Sequence, residues 1–106
     1  MMKVYGADIC IDCRNLRHIM KTRGLELDYR NIIADTLTLR EFLAIRDHNE
    51  AFNECKARGG IGIPCFVDGD RVTLDIDEAF SWIGQPPVRE DELVRSIEIN
   101  QSEQED

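Results

Sequence analysis

The feature that most constrains this chain is a Cys-x-x-Cys pair, Cys10-Ile11-Asp12-Cys13, set between a short strand and an amphipathic helix. Lys3-Val4-Tyr5 reads as the strand and Gly6-Ala7-Asp8-Ile9 as the turn that leaves it. Cys13, Leu16, Ile19 and Met20 then recur at helical spacing, with Arg14, Arg17, Lys21 and Arg23 elsewhere on the surface, and Gly24 ends the helix. Leu25, Leu27 and Tyr29 alternate with Glu26, Asp28 and Arg30 before Ile32-Ile33, which predicts a second strand over residues 25–33. The opening is a strand–helix–strand unit with both cysteines at the helix N-terminus.

That location has a chemical consequence. The first helical turn presents unpaired N–H groups and a partial positive charge, which stabilise a thiolate. Only the thiolate attacks a disulfide. Cys13 lies one turn later on the same face, within reach of a mixed disulfide on Cys10. Cys10 is therefore expected to attack and Cys13 to resolve. The Asp12 carboxylate opposes the negative charge on Cys10 and is expected to tune it. Two plainer readings compete. The pair could be incidental at a helix start, or it could serve a metal site, although zinc usually takes four ligands. Cys55, Cys65, His18 and His48 offer no knuckle spacing to complete a set, and each is expected to be packing or solvated surface. Two other functions stay open: a metal or iron–sulfur carrier using Cys10 and Cys13, and a non-catalytic binding module.

Downstream, Thr38-Leu39-Arg40-Glu41 has capping-box spacing, and Leu39, Phe42, Leu43 and Ile45 continue as an apolar stripe to Asp47. A further helical stretch is expected from Asn49 to Gly59-Gly60. Ile61 to Val67 reads as a strand that opens with a proline, Pro64, Asp68-Gly69 as a hairpin turn and Arg71–Leu74 as its partner strand. Asp75 and Glu78 open another helix, which runs to Gly84, and Pro86-Pro87 blocks its continuation. The predicted order is β-α-β-α-β-β-α.

At 106 residues the chain has room for one domain, expected over residues 1–85. Residues 86–106 form an acidic extension, with a short helix over Glu90–Ile99 and then a disordered tail; seven acids and two bases fall in residues 89–106. The net charge of −8 and the lack of a basic stripe speak against nucleic acid and anionic membrane surfaces. No apolar run approaches the ~18 residues of a membrane span, and Met1–Gly6 begins no secretory signal. A reducing cytoplasm is the expected compartment, where the four cysteines stay free.

Taken together, Cys10-Ile11-Asp12-Cys13 after the first strand, Gly62-Ile63-Pro64 before the third, and the Asp75-to-Glu78 helix start resemble the glutaredoxins of the thioredoxin-fold superfamily. The resemblance covers residues 2 to about 84. It implies an α/β, thioredoxin-like three-layer sandwich: a four-stranded mixed sheet with helices on both faces. It implies a dithiol oxidoreductase with no tightly bound cofactor, acting on protein or glutathione disulfides and re-reduced by glutathione or a reductase. A monomer is expected. It further implies that Pro64 follows a cis bond and that the Ile63 backbone pairs with an extended substrate. Asp77, or Asp75 in another alignment, would meet the γ-glutamyl amine of glutathione, and Arg14 would supply a cation. Some glutaredoxins bridge an iron–sulfur cluster through the first cysteine and glutathione, which keeps the carrier reading in view. The chain departs from the family pattern in three places. Ile11-Asp12 replaces Pro-Tyr, Ala7 replaces a lysine, and Thr73-Leu74 replaces paired glycines. The site has thereby gained carboxylates and lost a cation.

Overall fold

The structure is a computed structural model, and it describes residues 1–93. Strands β1 (Lys3–Gly6), β2 (Asp28–Asn31), β3 (Cys65–Asp68) and β4 (Arg71–Thr73) form one sheet in the order β2-β1-β3-β4. β1 and β2 are parallel and the other two pairings antiparallel, so the sheet is mixed, as expected. Helix α1 (Ile11–Arg23) makes the crossover between β1 and β2. Helix α2 (Thr36–His48), a three-ten turn (Glu50–Phe52) and the short helix α3 (Asn53–Ala57) lie between β2 and β3, and α4 (Ile76–Trp82) follows β4.

The period-2 alternation of the strands makes two cores. Val4 lies opposite Phe66 in the register and Tyr5 opposite Cys65. Val4 and Phe66 face Leu16 and Ile19 of α1 and Ala79 and Phe80 of α4. Tyr5 and Cys65 face Phe42 of α2 and Phe52 of the three-ten turn. Helices therefore cover both sides of the sheet. Phe42, Phe52, Phe66 and Phe80 are fully buried, each contributing roughly 2–3 kcal/mol by removal from water. On the second face Arg30 of β2 reaches Glu41 of α2 at 3.0 Å, and the Tyr5 hydroxyl donates to the same carboxylate at 3.3 Å.

Several boundaries differ from the sequence expectation. Helix α2 begins at Thr36 and not at a Thr38 capping box, because the Asp35 carboxylate already accepts the Thr38 N–H at 2.7 Å. Strand β3 starts at Cys65, four residues later than Ile61: Gly62 sits at φ 96, outside extended geometry, and the Gly60 and Ile61 carbonyls are taken by Arg46. The hairpin loop is Gly69-Asp70, one residue beyond the predicted turn, because Asp68 pairs with Arg71 across the ladder. The expected 49–60 helix is a three-ten turn followed by five residues of α-helix. β2 keeps only Asp28–Asn31 of the predicted 25–33 strand, since the Asn31 side chain accepts the Ile33 N–H at 3.0 Å and turns the chain.

Past α4 the chain returns to the body. Arg23, at the end of α1, binds Glu92 through two contacts of 2.6 and 2.7 Å and donates to the Pro86 and Pro87 carbonyls. The Val88 N–H donates to Asp77 at 2.9 Å. Residues Glu90–Glu92 form a three-ten turn. The remainder of the helix expected over Glu90–Ile99, and the acidic tail after it, lie outside the described residues. Among the described residues, no helix is long and apolar enough to cross a membrane.

Candidate active site

The turn after β1 delivers Cys10 to the helix start, where its N–H donates to the Ala7 carbonyl at 3.1 Å and its own carbonyl accepts the Arg14 N–H at 3.0 Å. Cys10 is the N-cap of α1, in extended geometry, with no side-chain capping hydrogen bond. Its thiol is partly exposed and points across to the segment before β3, donating to the Ile63 carbonyl at 3.6 Å. The Ile63–Pro64 peptide bond is cis, as the family resemblance implies. Cys10 and the Ile63-Pro64 segment are thus brought together from positions more than fifty residues apart.

Cys13 stands behind Cys10 and is fully buried. Burial pushes its thiol up to about 12, against the pull of the Ala7 backbone amide, and the neighbouring Cys10 raises it further. The pair therefore divides into an accessible sulfur and a sheltered one. Cys65 is also held up at about 12 by burial, but it belongs to the core on the face opposite α1, beside Tyr5 and Phe42. It packs into that core. Cys55 lies under the Gly60–Gly62 segment, where a Cβ on Gly60 would come within 2.8 Å of its sulfur.

A groove of about 650 Å³ runs alongside, from the first turn of α1 past Ile63 and Pro64 to the start of α4. Its apolar lining includes Ile61, Ile76, Val88 and Leu93; its charged lining is Asp12, Asp75 and Asp77 against Arg58. Asp75 caps α4 by accepting the Asp77 and Glu78 N–H groups. Asp77 reaches the groove, as its proposed ligand role needs, but one of its oxygens holds Val88. Arg14 is turned the other way, donating to the Asp8 carbonyl at 2.9 Å, and is not among the groove-lining residues. Asp12 is exposed on the groove wall.

Three contributors were not visible in the sequence. Arg46 of α2 donates to the carbonyls of Gly60 and Ile61, each at 2.8 Å, and so fixes the approach to Ile63. No spacing rule connects a helix residue to carbonyls fourteen and fifteen positions ahead. Gly62 lies so close to Phe52 that a Cβ would sit 2.5 Å from the ring, and its φ of 96 suits glycine alone. Tyr29 of β2 brings its hydroxyl against Gly6 and the Cys13 sulfur, a placement that depends on the parallel register of β1 and β2. Among the described residues, no three His, Cys, Asp or Glu side chains gather as a metal ion would need. No protein-family model, curated protein or solved structure matches the chain.

Proposed function

We propose that the protein is a thiol–disulfide oxidoreductase of thioredoxin-like architecture, similar in mechanism to a glutaredoxin. One observation carries the reading: a partly exposed Cys10 sulfur at the N-terminus of α1, donating to the carbonyl of Ile63, which lines the groove, with Cys13 buried behind it. The Cys10 thiolate attacks one sulfur of a substrate disulfide. A mixed disulfide forms, and the first substrate thiolate leaves and takes up a proton. Cys13 then loses its proton and attacks the Cys10 sulfur. The Cys10–Cys13 disulfide forms, and the second substrate thiolate leaves. The substrate gains two electrons and the protein loses two. A thiol reductant, glutathione or a reductase, restores the dithiol.

Ile63 offers its backbone at the lip of the groove, where an extended segment could add as a strand. The exposed Ile61 beside it suits a polypeptide chain. Asp12, Asp75 and Asp77 outnumber Arg58 along the groove, which disfavours a dianionic glutathione disulfide relative to a neutral or basic polypeptide. This chemistry belongs in a reducing compartment, and we place the protein in the cytoplasm.

The test is reduction of insulin and of a glutathionylated peptide, each with glutathione or with thioredoxin reductase as electron donor. Wild-type protein is expected to turn over at least one pairing, and Cys13→Ser to accumulate a mixed disulfide on Cys10. Failure of every pairing, with no faster labelling of Cys10 than of the other three cysteines, would remove the proposal.

A further inference from the structure

The second half of that cycle leaves a chemical problem: Cys13 must ionise inside the protein to attack. In the dithiol the neighbouring Cys10 adds to burial in opposing the Cys13 thiolate. Once Cys10 is tied up in a mixed disulfide, that interaction ends and burial alone opposes the Cys13 thiolate. The Ala7 backbone amide already favours that negative charge, and a second donor in this buried site would add to it.

Tyr29 is placed to do so. Its hydroxyl is buried and has no hydrogen-bond partner among the described residues. A buried hydroxyl without a partner costs about 1–3 kcal/mol, so its retention beside a reacting group asks for a reason. The same hydroxyl and the Cys13 sulfur both crowd the bare face of Gly6: a Cβ there would lie 2.7 Å from the one and 3.1 Å from the other. Only glycine leaves the space between strand and helix in which the two groups can meet. The ring is fixed by the Arg17 guanidinium, 5.2 Å from its centroid, and Arg17 is itself held by Asp8 at 2.6 Å. Ionisation of either partner is felt by the other. The Tyr29 hydroxyl eases loss of the Cys13 proton, while burial and then Cys13 raise Tyr29 above the ordinary phenol range. Tyr29 therefore keeps its proton and acts as a donor, not as a base.

Resting on the oxidoreductase reading, we propose that Tyr29 is a positioning residue for resolution: its hydroxyl donates a hydrogen bond to the Cys13 thiolate as that thiolate turns to attack the Cys10 mixed disulfide. The proton of Cys13 goes to solvent base, the Tyr29 proton stays on oxygen, and the bond is given up when the Cys10–Cys13 disulfide forms. The first step, on Cys10, does not involve it.

Reaction of the reduced full-length protein with 2,2′-dipyridyl disulfide separates the two steps, because each releases one equivalent of 2-thiopyridone. Tyr29→Phe keeps the ring and the Arg17 contact and removes only the donor. The first equivalent should appear at the wild-type rate. The second should be slowed about tenfold, and its pH profile should move to higher pH. An unchanged second step, or equal slowing of both steps, would overturn the proposal; equal slowing would mark a general disturbance of the site. A wild-type protein that releases no first equivalent would sink the oxidoreductase reading itself, and this proposal with it. A normal first step with a second step indifferent to Tyr29 would sink this proposal alone.

Discussion

The two ends of α1 are built on opposite terms. At the C-terminal end the last-turn cation Arg23 suits the helix dipole and is enclosed by Glu92, Gln85 and two proline carbonyls, with its guanidinium 5.2 Å from the Phe80 ring centroid. Gly24 takes the left-handed cap, and its N–H and that of Leu25 satisfy carbonyls of the last turn. At the N-terminal end a sulfur occupies the position that Ser, Thr or Asp would fill best, and it makes no cap. A carboxylate, Asp12, stands exposed in the first turn, and a groove runs past it. One end satisfies its polar groups with side chains and loop carbonyls; the other leaves donors available. Stability and reactivity are thus separated along a single helix.

The largest expected effect tests that separation directly. Cys10→Ser should reduce disulfide turnover to background, because serine supplies no nucleophile of comparable reactivity at neutral pH. The same substitution should raise unfolding stability by about 0.5–1 kcal/mol, because the serine hydroxyl can cap the N-terminal N–H groups that the thiol leaves unmet. Chemical denaturation beside an insulin-reduction assay measures both. A variant that loses activity and stability together would mean that the thiol contributes to the fold as well, and the contrast between the two ends would fail.

The Gly62 wall of the groove depends on a close approach to Phe52, whereas the far end is held by charge, so the two should respond to different insults. Gly62→Ala places a methyl group against the Phe52 ring at a φ of 96, and a loss of about 2–3 kcal/mol is expected by denaturant titration, largely independent of salt. At the far end, Glu92 is held down at about 2, first by its hydrogen bonds from Arg23 and then by the Arg89 N–H. Its folded value lies below the ~4.3 of an unfolded glutamate, so its contribution is complete above that value and is lost as pH falls from about 4.5 through 2. Hydrogen-exchange protection over residues 85–92 should fall across that window while the sheet retains its own. Glu92→Gln should reproduce the loss at neutral pH. Protection that survives both would show that Asp77 and the proline carbonyls tie the segment without the ion pair.

How much of this was legible in the sequence follows from how far each contact reaches along the chain. The strand, the Cys-x-x-Cys turn and α1 depend on neighbours within a few residues, and periodicity alone placed them. The Asp75 cap was readable for the same reason. The N-cap of α2 lies three residues before the Thr38 box because Asp35 and Thr38 both carry capping side chains, and only geometry decides which carboxylate or hydroxyl meets an N–H. The alternation that sets Leu25, Leu27 and Tyr29 apart from Glu26, Asp28 and Arg30 agrees with all three packing into one core, although only Tyr29 lies in β2; the contact of Tyr29 with Cys13 follows from the parallel register Val4↔Tyr29, which no local pattern encodes. The clamps of Arg46 on Gly60 and of Arg23 on Glu92 join residues 14 and 69 positions apart. An arginine on a helix surface reads the same whether its partner is water or a distant carbonyl.

The smallest expected effect lies at Asp12 and sharpens the comparison most finely, because the two consequences of its charge have opposite signs. As a first-turn carboxylate it favours the helix by about 0.3–1 kcal/mol through the dipole. As an anion near the attacking sulfur it opposes the thiolate and repels anionic substrates. Asp12→Asn should therefore lower stability slightly and raise the alkylation rate of Cys10 about two- to fivefold at low salt. Turnover of glutathione disulfide should rise more than turnover of a polypeptide disulfide without acidic residues near the bond. At 1 M salt, where the screening length is about 3 Å, the kinetic differences should shrink towards those of the wild type. If reactivity stays level while stability falls, Asp12 serves only the helix, and the groove end would then be tuned by Asp75 and Asp77 at the start of α4, where Asp75→Asn would give the stronger response towards glutathione.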